Sequence, residues 1–235
     1  MSTIREQIIT AIESKLEECL VRKGYAVNSG NKVFRGIKPT DPDNLPAIFL
    51  FPGLEAVARE YGKNALSMQV RVEAVALFGS INPSVMSEKL LGDLIEVMAG
   101  RKWVVPYTSG GTYRIKPGDT IEGASSGATG YVESVSVSSG SWAAGTAAGN
   151  ITIRRKSGTF ESENLDVGSN GNVATTTGVL SYQAAITTTT NDLARDIQYQ
   201  EGGLEEYPDG GEKTVGASAS FLIIYETETG NPFAQ

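Results

Sequence analysis

Histidine is absent from this chain of 235 residues, and cysteine occurs once, at Cys19. Without histidine there is no imidazole to act as the base of a Ser-His-Asp or Cys-His nucleophile, and none to bind a metal ion. A single cysteine cannot form a disulfide within the chain. The sequence therefore predicts no disulfide framework and no metal site, and it leaves carboxylates as the one group available for acid-base chemistry.

Long apolar runs are also missing from the sequence. A membrane-spanning helix needs roughly 18 consecutive apolar residues, and no segment has them. The opening residues, MSTIREQIIT, lack the layout of a secretory signal peptide. We therefore expect a protein that is made in a cytoplasm and has no membrane partner. The glycine-rich stretches lack the lysine and following helix of a phosphate loop, so no cofactor is expected.

The chain has fewer basic than acidic side chains. Twenty Lys and Arg residues face 27 Asp and Glu residues, which gives a formal net charge of −7 at pH 7. Nucleic-acid binding depends on clustered cations that displace counterions from phosphate. The one basic run, from Arg154 to Lys156, is typical of a solvated surface. The charge balance argues against a protein that reads nucleic-acid sequence.

Two segments show the apolar repeat of an amphipathic helix. The first begins at a capping box formed by Thr3 and Glu6, and Gly24 is expected to end it. The second begins at Asn82 and Pro83 and ends at Gly100. The apolar positions are Ile4, Ile8, Ile12, Leu16 and Leu20 in the first helix and Met86, Leu90, Leu91, Leu94, Ile95 and Met98 in the second.

Three segments have the composition of strands. AIFLF (47–51) follows a proline-rich turn, SMQVRVEA (67–74) alternates polar and apolar residues, and FLIIY (221–225) is continuously apolar. We predict that the last segment completes a sheet that begins far upstream. The fold class that follows is α+β, with two helices packed on a mostly antiparallel sheet.

Between these segments the composition changes. From about Val104 to Ile186 the chain is rich in Gly, Ser, Thr and Ala and has no helical repeat. DTIEGASSG, from Asp119, and ENLDVGSNG, from Glu163, are similar to each other, and each is expected to form a hairpin. We predict one discontinuous domain, residues 1–103 and 187–235, interrupted by an inserted all-β domain, residues 104–186.

The order of the outer elements resembles the tail-terminator family of long-tailed bacteriophages. The resemblance rests on the N-terminal helix, the LPAIFLF strand, the NPSVMSEKLLGDLIEVM helix and the closing strand. In that family the closing strand reads as an aromatic residue and a threonine followed by Gly-Asp-Pro. Here Tyr225, Thr227 or Thr229, Gly230, Asn231 and Pro232 fill the pattern, with asparagine in place of aspartate.

The resemblance implies a structural virion protein and not an enzyme. Tail terminators form a ring, a hexamer in that family, on the head-proximal end of the tail tube. The ring stops tube polymerisation and supports head-tail joining. The implied partners are other copies of the chain, the tail tube protein, a neck or head-connector protein and the sheath, while DNA passes through without specific binding.

Two alternatives stay open at the level of sequence. The first alternative is a head-tail connector or neck protein from the same assembly. The other alternative is a carbohydrate-binding or glycan-cleaving tail protein that acts through the inserted domain. Paired carboxylates are the minimum for glycan cleavage, and the insert carries four candidates, Glu122, Glu133, Glu161 and Glu163.

Candidate interface or lumen residues come from two places. One is an acidic segment after the insert, which can also be read as a solvated hairpin loop and which lacks the ligand order of an EF-hand. The other is the closing strand. The candidates are Glu201, Glu205, Glu206, Asp209, Glu212, Tyr225, Asn231 and Pro232. Trp103 and Trp142 are either interface anchors or core residues of the inserted domain.

Overall fold

A computed structural model describes residues 2–38, 41–60, 62–111, 113–205 and 213–235. Strands form 49% of the chain and helices 19%. The α+β prediction is therefore wrong, because the protein is mostly β. The chain divides into two compact units, Met1–Gly100 with Ala185–Gln235 and Arg101–Ala184. We call these the outer unit and the inserted unit, and their boundaries differ by three residues or fewer from the 103 and 187 expected from composition.

Fifteen helices and strands of regular geometry follow one another along the described chain. They are α1 (Ile4–Leu16), β1 (Val33–Arg35), β2 (Ala47–Glu60), β3 (Lys63–Leu77), α2 (Pro83–Ala99), β4 (Lys102–Gly110), β5 (Thr120–Gly123), β6 (Thr129–Ser139), β7 (Ala147–Ser157), β8 (Glu163–Val167), β9 (Asn170–Thr176), β10 (Ser181–Gln183), α3 (Ala185–Thr190), β11 (Ala194–Leu204) and β12 (Thr214–Glu228).

The outer unit is built on a five-stranded sheet with the order β1-β2-β3-β12-β11. All neighbours are antiparallel except β1 and β2. The closing strand β12 pairs with β3 along its whole length, from Thr214 opposite Leu77 to Glu228 opposite Lys63. One neighbour of β12 thus precedes the inserted unit and the other follows it, so the insertion interrupts a single sheet.

Helices α1 and α2 contribute their apolar side chains to the core of the outer unit. The Thr3 side chain caps α1 by accepting a hydrogen bond from the Glu6 N–H, and Asn82 caps α2 through Ser84 in the same way. Helix α1 ends at Leu16 and not near Gly24 as predicted. The segment after it continues as turns and a short 3-10 helix, Val21–Lys23, which Gly24 ends at a φ of 82°.

The inserted unit is a closed barrel of six strands. The order β4-β7-β6-β5-β8-β9 returns to its start because β9 pairs with β4 at Tyr107 and Thr176, while β10 pairs with the other end of β4. The two similar sequence segments contain β5 and β8, which are the first strands of the hairpins β5–β6 and β8–β9, and β5 and β8 pair with each other. Closure leaves the barrel with few unpaired backbone groups.

The excess of strand over helix has a simple origin. The inserted unit adds seven strands to the five of the outer sheet. Strand β2 also runs for 14 residues, although its sequence places Pro52 and Gly53 directly after the apolar AIFLF segment. Along β2 a bulge between Pro52 and Glu55 absorbs the irregularity, so that pairing with β3 resumes beyond it.

Candidate functional site

The outer sheet has a strand edge that lacks a partner. Strand β1 covers β2 at residues 48–50, but beyond the bulge no strand pairs with the outer side of β2 within the parts of the chain that the structure describes. We call residues 53–60 the free edge of β2. It carries Leu54, 85% exposed, and Val57, 55% exposed. An exposed edge with apolar side chains is a template for pairing with another strand.

The opposite side of the same sheet ends at β11. This strand pairs with β12 on one side, and among the described residues no strand lies on the other. Arg195, Asp196 and Tyr199 are exposed along it. Because β2, β3, β12 and β11 alternate in direction, the two edges run antiparallel to each other.

A pocket of about 430 Å³ lies beside the free edge of β2. We call it the distal pocket. Glu55 and Val57 line it, together with three of the residues proposed from the sequence, Tyr225, Asn231 and Pro232. The structure thus brings together the closing-strand candidates and places them next to an unpaired strand.

Tyr225 forms the buried wall of the distal pocket. Its hydroxyl donates a hydrogen bond to the Glu55 carboxylate, and Arg5 lies 3.5 Å from the same carboxylate. Burial, together with the bond to Glu55, raises the pKa of Tyr225 well above its usual range. The Arg5 guanidinium also donates to the Gly53 carbonyl at 2.7 Å, so α1 is tied to the start of the free edge.

The residues after β12 fold back on α1. Gly230 takes a φ of 78°, and Asn231 bonds through its amide to Glu228 and through its oxygen to the Phe233 N–H. The Pro232 carbonyl then accepts a hydrogen bond from the Ile4 N–H at 2.9 Å. This N–H belongs to the first turn of α1, which has no intrahelical partner for it. The closing motif therefore caps α1.

The acidic candidates do not share this location. Glu201 lies on β11 opposite Ser220 and lines a pocket of about 590 Å³ on the sheet face away from the helices. Glu205 follows β11 and accepts hydrogen bonds from Arg71 at 2.6 Å and Lys38 at 3.4 Å. Glu206, Asp209 and Glu212 lie outside the described residues.

Glu205 belongs to a network of charges. The buried Glu73 contacts the same two cations, Lys38 and Arg71, each at 2.8 Å. Burial and the neighbouring Glu73 carboxylate raise the pKa of Glu205 despite those cations. Glu205 and Glu73 thus share two cations, which reduce but do not cancel the effects that disfavour the charged form of Glu205.

Both tryptophans pack against the core of the barrel. Trp142 stacks on Tyr107 with ring centroids 5.3 Å apart. It lies so close to Gly110 that a Cβ there would come within 2.6 Å of the indole ring. Trp103 packs against Tyr182 at 5.6 Å, and Lys156 lies over its ring. These contacts favour the core interpretation over the interface-anchor interpretation.

Two of the four carboxylates considered for glycan cleavage, Glu163 and Glu133, have structural contacts. Glu163 is buried and accepts hydrogen bonds from the N–H groups of Glu161, Ser125 and Ser126 and from the Ser126 hydroxyl, at 2.6–3.0 Å. Burial alone would raise its pKa, but these four donors lower the pKa of Glu163 to about 2. Glu133 pairs with Lys102.

Among the described residues, no cluster of three or more His, Cys, Asp or Glu side chains has the geometry to hold a metal ion. Within the same residues, no helix is both long and apolar enough to cross a bilayer.

Sequence reasoning missed the free edge of β2. No pattern in the segment GLEAVARE, residues 53–60, shows that it pairs on one side only. The edge is free because β1 has only three residues, whereas β2 has 14.

Comparison with protein-family models finds no match for this chain, and comparison with curated proteins finds no relative.

Proposed function

We propose that this protein is a structural component of a phage virion that forms a ring on the head-proximal end of the tail tube. In that position it ends growth of the tube and joins the tail to the neck or head connector. The proposal keeps the partners implied by the sequence resemblance, namely other copies of the chain, the tube protein, a neck or head-connector protein and the sheath.

One observation carries the proposal. The residues on which the resemblance rests form a structural unit: β12 is paired on both sides in the outer sheet, Tyr225 is buried, and Pro232 caps α1. The residues that carry the sequence resemblance are therefore held together by contacts within the outer unit, and we base the proposal on this.

The two strand edges support ring formation. A head-to-tail contact uses two different surfaces of one chain, and it closes when rotation brings the last copy against the first. The free edge of β2 and the outer side of β11 lie at opposite sides of one sheet and run in opposite directions. They therefore provide the two different surfaces that a head-to-tail contact requires.

The test is a phage that lacks this chain. Loss of the protein is expected to give tails of uncontrolled length when they are measured by negative-stain electron microscopy. Normal-length tails that stay separate from filled heads would show a head-tail connector instead. Particles of normal form and infectivity would contradict both functions.

A further inference from the structure

We propose that the distal pocket binds a neutral carboxamide group carried on a short aliphatic stem, as in the side chain of glutamine. The pocket belongs to the outer unit alone, and its binding chemistry does not depend on the tail function proposed above. Its volume of about 430 Å³ lies within the range of small-ligand pockets, roughly 300–1,000 Å³.

Two polar side chains in the wall of the pocket lack hydrogen-bond partners. Thr227 on β12 and Asn64 on β3 lie opposite each other in the ladder, and both line the pocket. Thr227 is only 4% exposed, and Asn64 is half-buried. Within the described parts of the chain, neither the Thr227 hydroxyl nor the Asn64 amide takes part in a hydrogen bond. A polar group held away from water without a partner is costly, so a ligand that supplies the missing bonds is favoured.

These two side chains match a carboxamide. An amide nitrogen donates and an amide oxygen accepts, and the Asn64 side chain and the Thr227 hydroxyl each offer both functions. Side chains directly opposite in an antiparallel ladder have Cβ atoms about 4.5–5.5 Å apart, so one carboxamide reaches both. The ligand N–H then donates to the Thr227 hydroxyl oxygen, and the ligand oxygen accepts from the Asn64 side-chain N–H.

The charged groups of the pocket favour a neutral ligand. Arg5 lies 3.5 Å from the Glu55 carboxylate, so their charges offset each other, and Glu55 also accepts the Tyr225 hydroxyl. Glu228 is exposed and accepts from the Asn231 amide at 3.2 Å. A charged end group would have to exchange water for the two neutral side chains that lack partners, which is unfavourable.

The rest of the lining fits an aliphatic stem and not a sugar. Val57, Leu66 and Pro232 supply apolar surface against which methylene groups can pack. A sugar ring usually packs on the face of an exposed aromatic ring. Among the described residues that line the pocket, the one aromatic residue is Tyr225, which is 1% exposed. The pocket therefore offers a glutamine-like group both polar partners and a place for its stem.

Titration of the full-length protein with capped amino acids tests the site. The probes are the Nα-acetyl methylamides of glutamine, glutamate, lysine and methionine, which differ mainly in the end group of the side chain. With the glutamine probe, ¹H–¹⁵N spectra should show saturable shifts of the Thr227 backbone amide and the Asn64 side-chain amide. The other three probes are expected to bind about tenfold more weakly, since they lack the carboxamide. Absence of saturable shifts at these two residues, or equal or tighter binding of another probe, would overturn the proposal.

A pair of variants separates the pocket from general surface effects. Thr227→Val replaces the hydroxyl with a methyl group of similar size and should weaken binding of the glutamine probe about fivefold. Its urea midpoint should not fall, because the hydroxyl has no partner in the fold. Thr229→Val is the matched control, since that exposed threonine lies outside the pocket lining, and it should bind as wild type does. A folded Thr227→Val variant with wild-type affinity would refute the assignment.

Free glutamine distinguishes the source of the group. Tighter binding of the capped probe assigns the carboxamide to the side chain of another protein, whereas tighter binding of free glutamine assigns it to a small molecule, and both results support the site. The site and the tail function can also fail separately. Tails of uncontrolled length in a phage that lacks this chain support the tail function even when no probe binds, and that result overturns only the site.

Discussion

Glu163 shows how one side chain can hold a turn of the barrel. Its carboxylate bonds to three backbone N–H groups and one hydroxyl. Glu163→Gln removes the negative charge that all four donors point at, and we expect it to lower the free energy of unfolding by about 1–3 kcal/mol. Urea unfolding followed by the fluorescence of Trp103 and Trp142, both in the barrel, measures the change.

The effect should depend on pH in one direction. The folded pKa of Glu163 is about 2, below the value near 4.3 of an unfolded glutamate. A lowered pKa stabilises the fold fully above the unfolded pKa, and this stabilisation is lost as the pH falls toward 2. The difference between wild type and Glu163→Gln should thus shrink between about pH 5 and pH 2. Glu161→Gln is the matched control, because that exposed residue contributes its backbone N–H to the cluster. An equal loss in both variants would contradict the assignment.

Tyr225 gives a second prediction for a single residue. Its pKa is raised by burial and by the hydrogen bond to Glu55, so it should stay protonated where exposed tyrosines ionise, near pH 10. In a spectrophotometric titration, Tyr225→Phe is expected to leave the number of tyrosines that ionise in that range unchanged. Loss of one ionising tyrosine in the Tyr225→Phe variant would contradict the raised pKa of Tyr225.

Among the elements, α1 depends on the end of the chain. The Pro232 carbonyl accepts the Ile4 N–H, and the Thr3 side chain accepts the Glu6 N–H. Deletion of residues 232–235 removes the first bond and keeps the second. We expect faster hydrogen exchange at the Ile4 amide and unchanged exchange at Ser84, which Asn82 caps at the start of α2. Equal protection of Ile4 in both proteins would show that the contact contributes nothing.

Local chemistry made part of the fold predictable. The caps Thr3 and Asn82 and the stop at Gly100 identify helix ends because a side-chain oxygen or a proline acts on its own neighbours. The end of α1 was not predictable in this way. Leu20 keeps the apolar spacing of the helix, but it lies beyond the end of α1 in an extended backbone conformation. Its side chain is still buried, so tertiary packing and not the helical repeat accounts for its apolar character.

The length of β2 was hidden for a related reason. Proline and glycine usually end a strand, so AIFLF was interpreted as a short central strand. Pro52 is tolerated because β2 has an open side at this point and needs no N–H there. The edge of β2 is free because β1 is short, and the sequence of β2 itself cannot indicate the length of its neighbour.

For the whole molecule, the change in composition predicted an inserted all-β domain, residues 104–186, but not the closure of its strands into a barrel. Closure depends on β9 meeting β4 through Tyr107 and Thr176, a contact between distant parts of the chain. Such pairings leave no periodic signal. The barrel also shifts the balance to mostly β, which two well-marked helices had obscured.

The two units have separate apolar cores. We therefore expect residues 101–184 to fold when they are produced alone, because their barrel closes with its own strands. Urea unfolding of this fragment should give one cooperative transition in tryptophan fluorescence. The variant Gly110→Val, which places side-chain atoms where the Trp142 ring lies, should lower the midpoint of that transition. A fragment without a cooperative transition would show that the barrel depends on the outer unit.

The proposed position of the protein in the virion can be measured directly. Gold-labelled antibody against the inserted unit, viewed on intact virions by electron microscopy, should mark the junction between tail and head. Label at the tail tip or on the capsid, or particles without label whose protein content lacks this chain, would contradict the account.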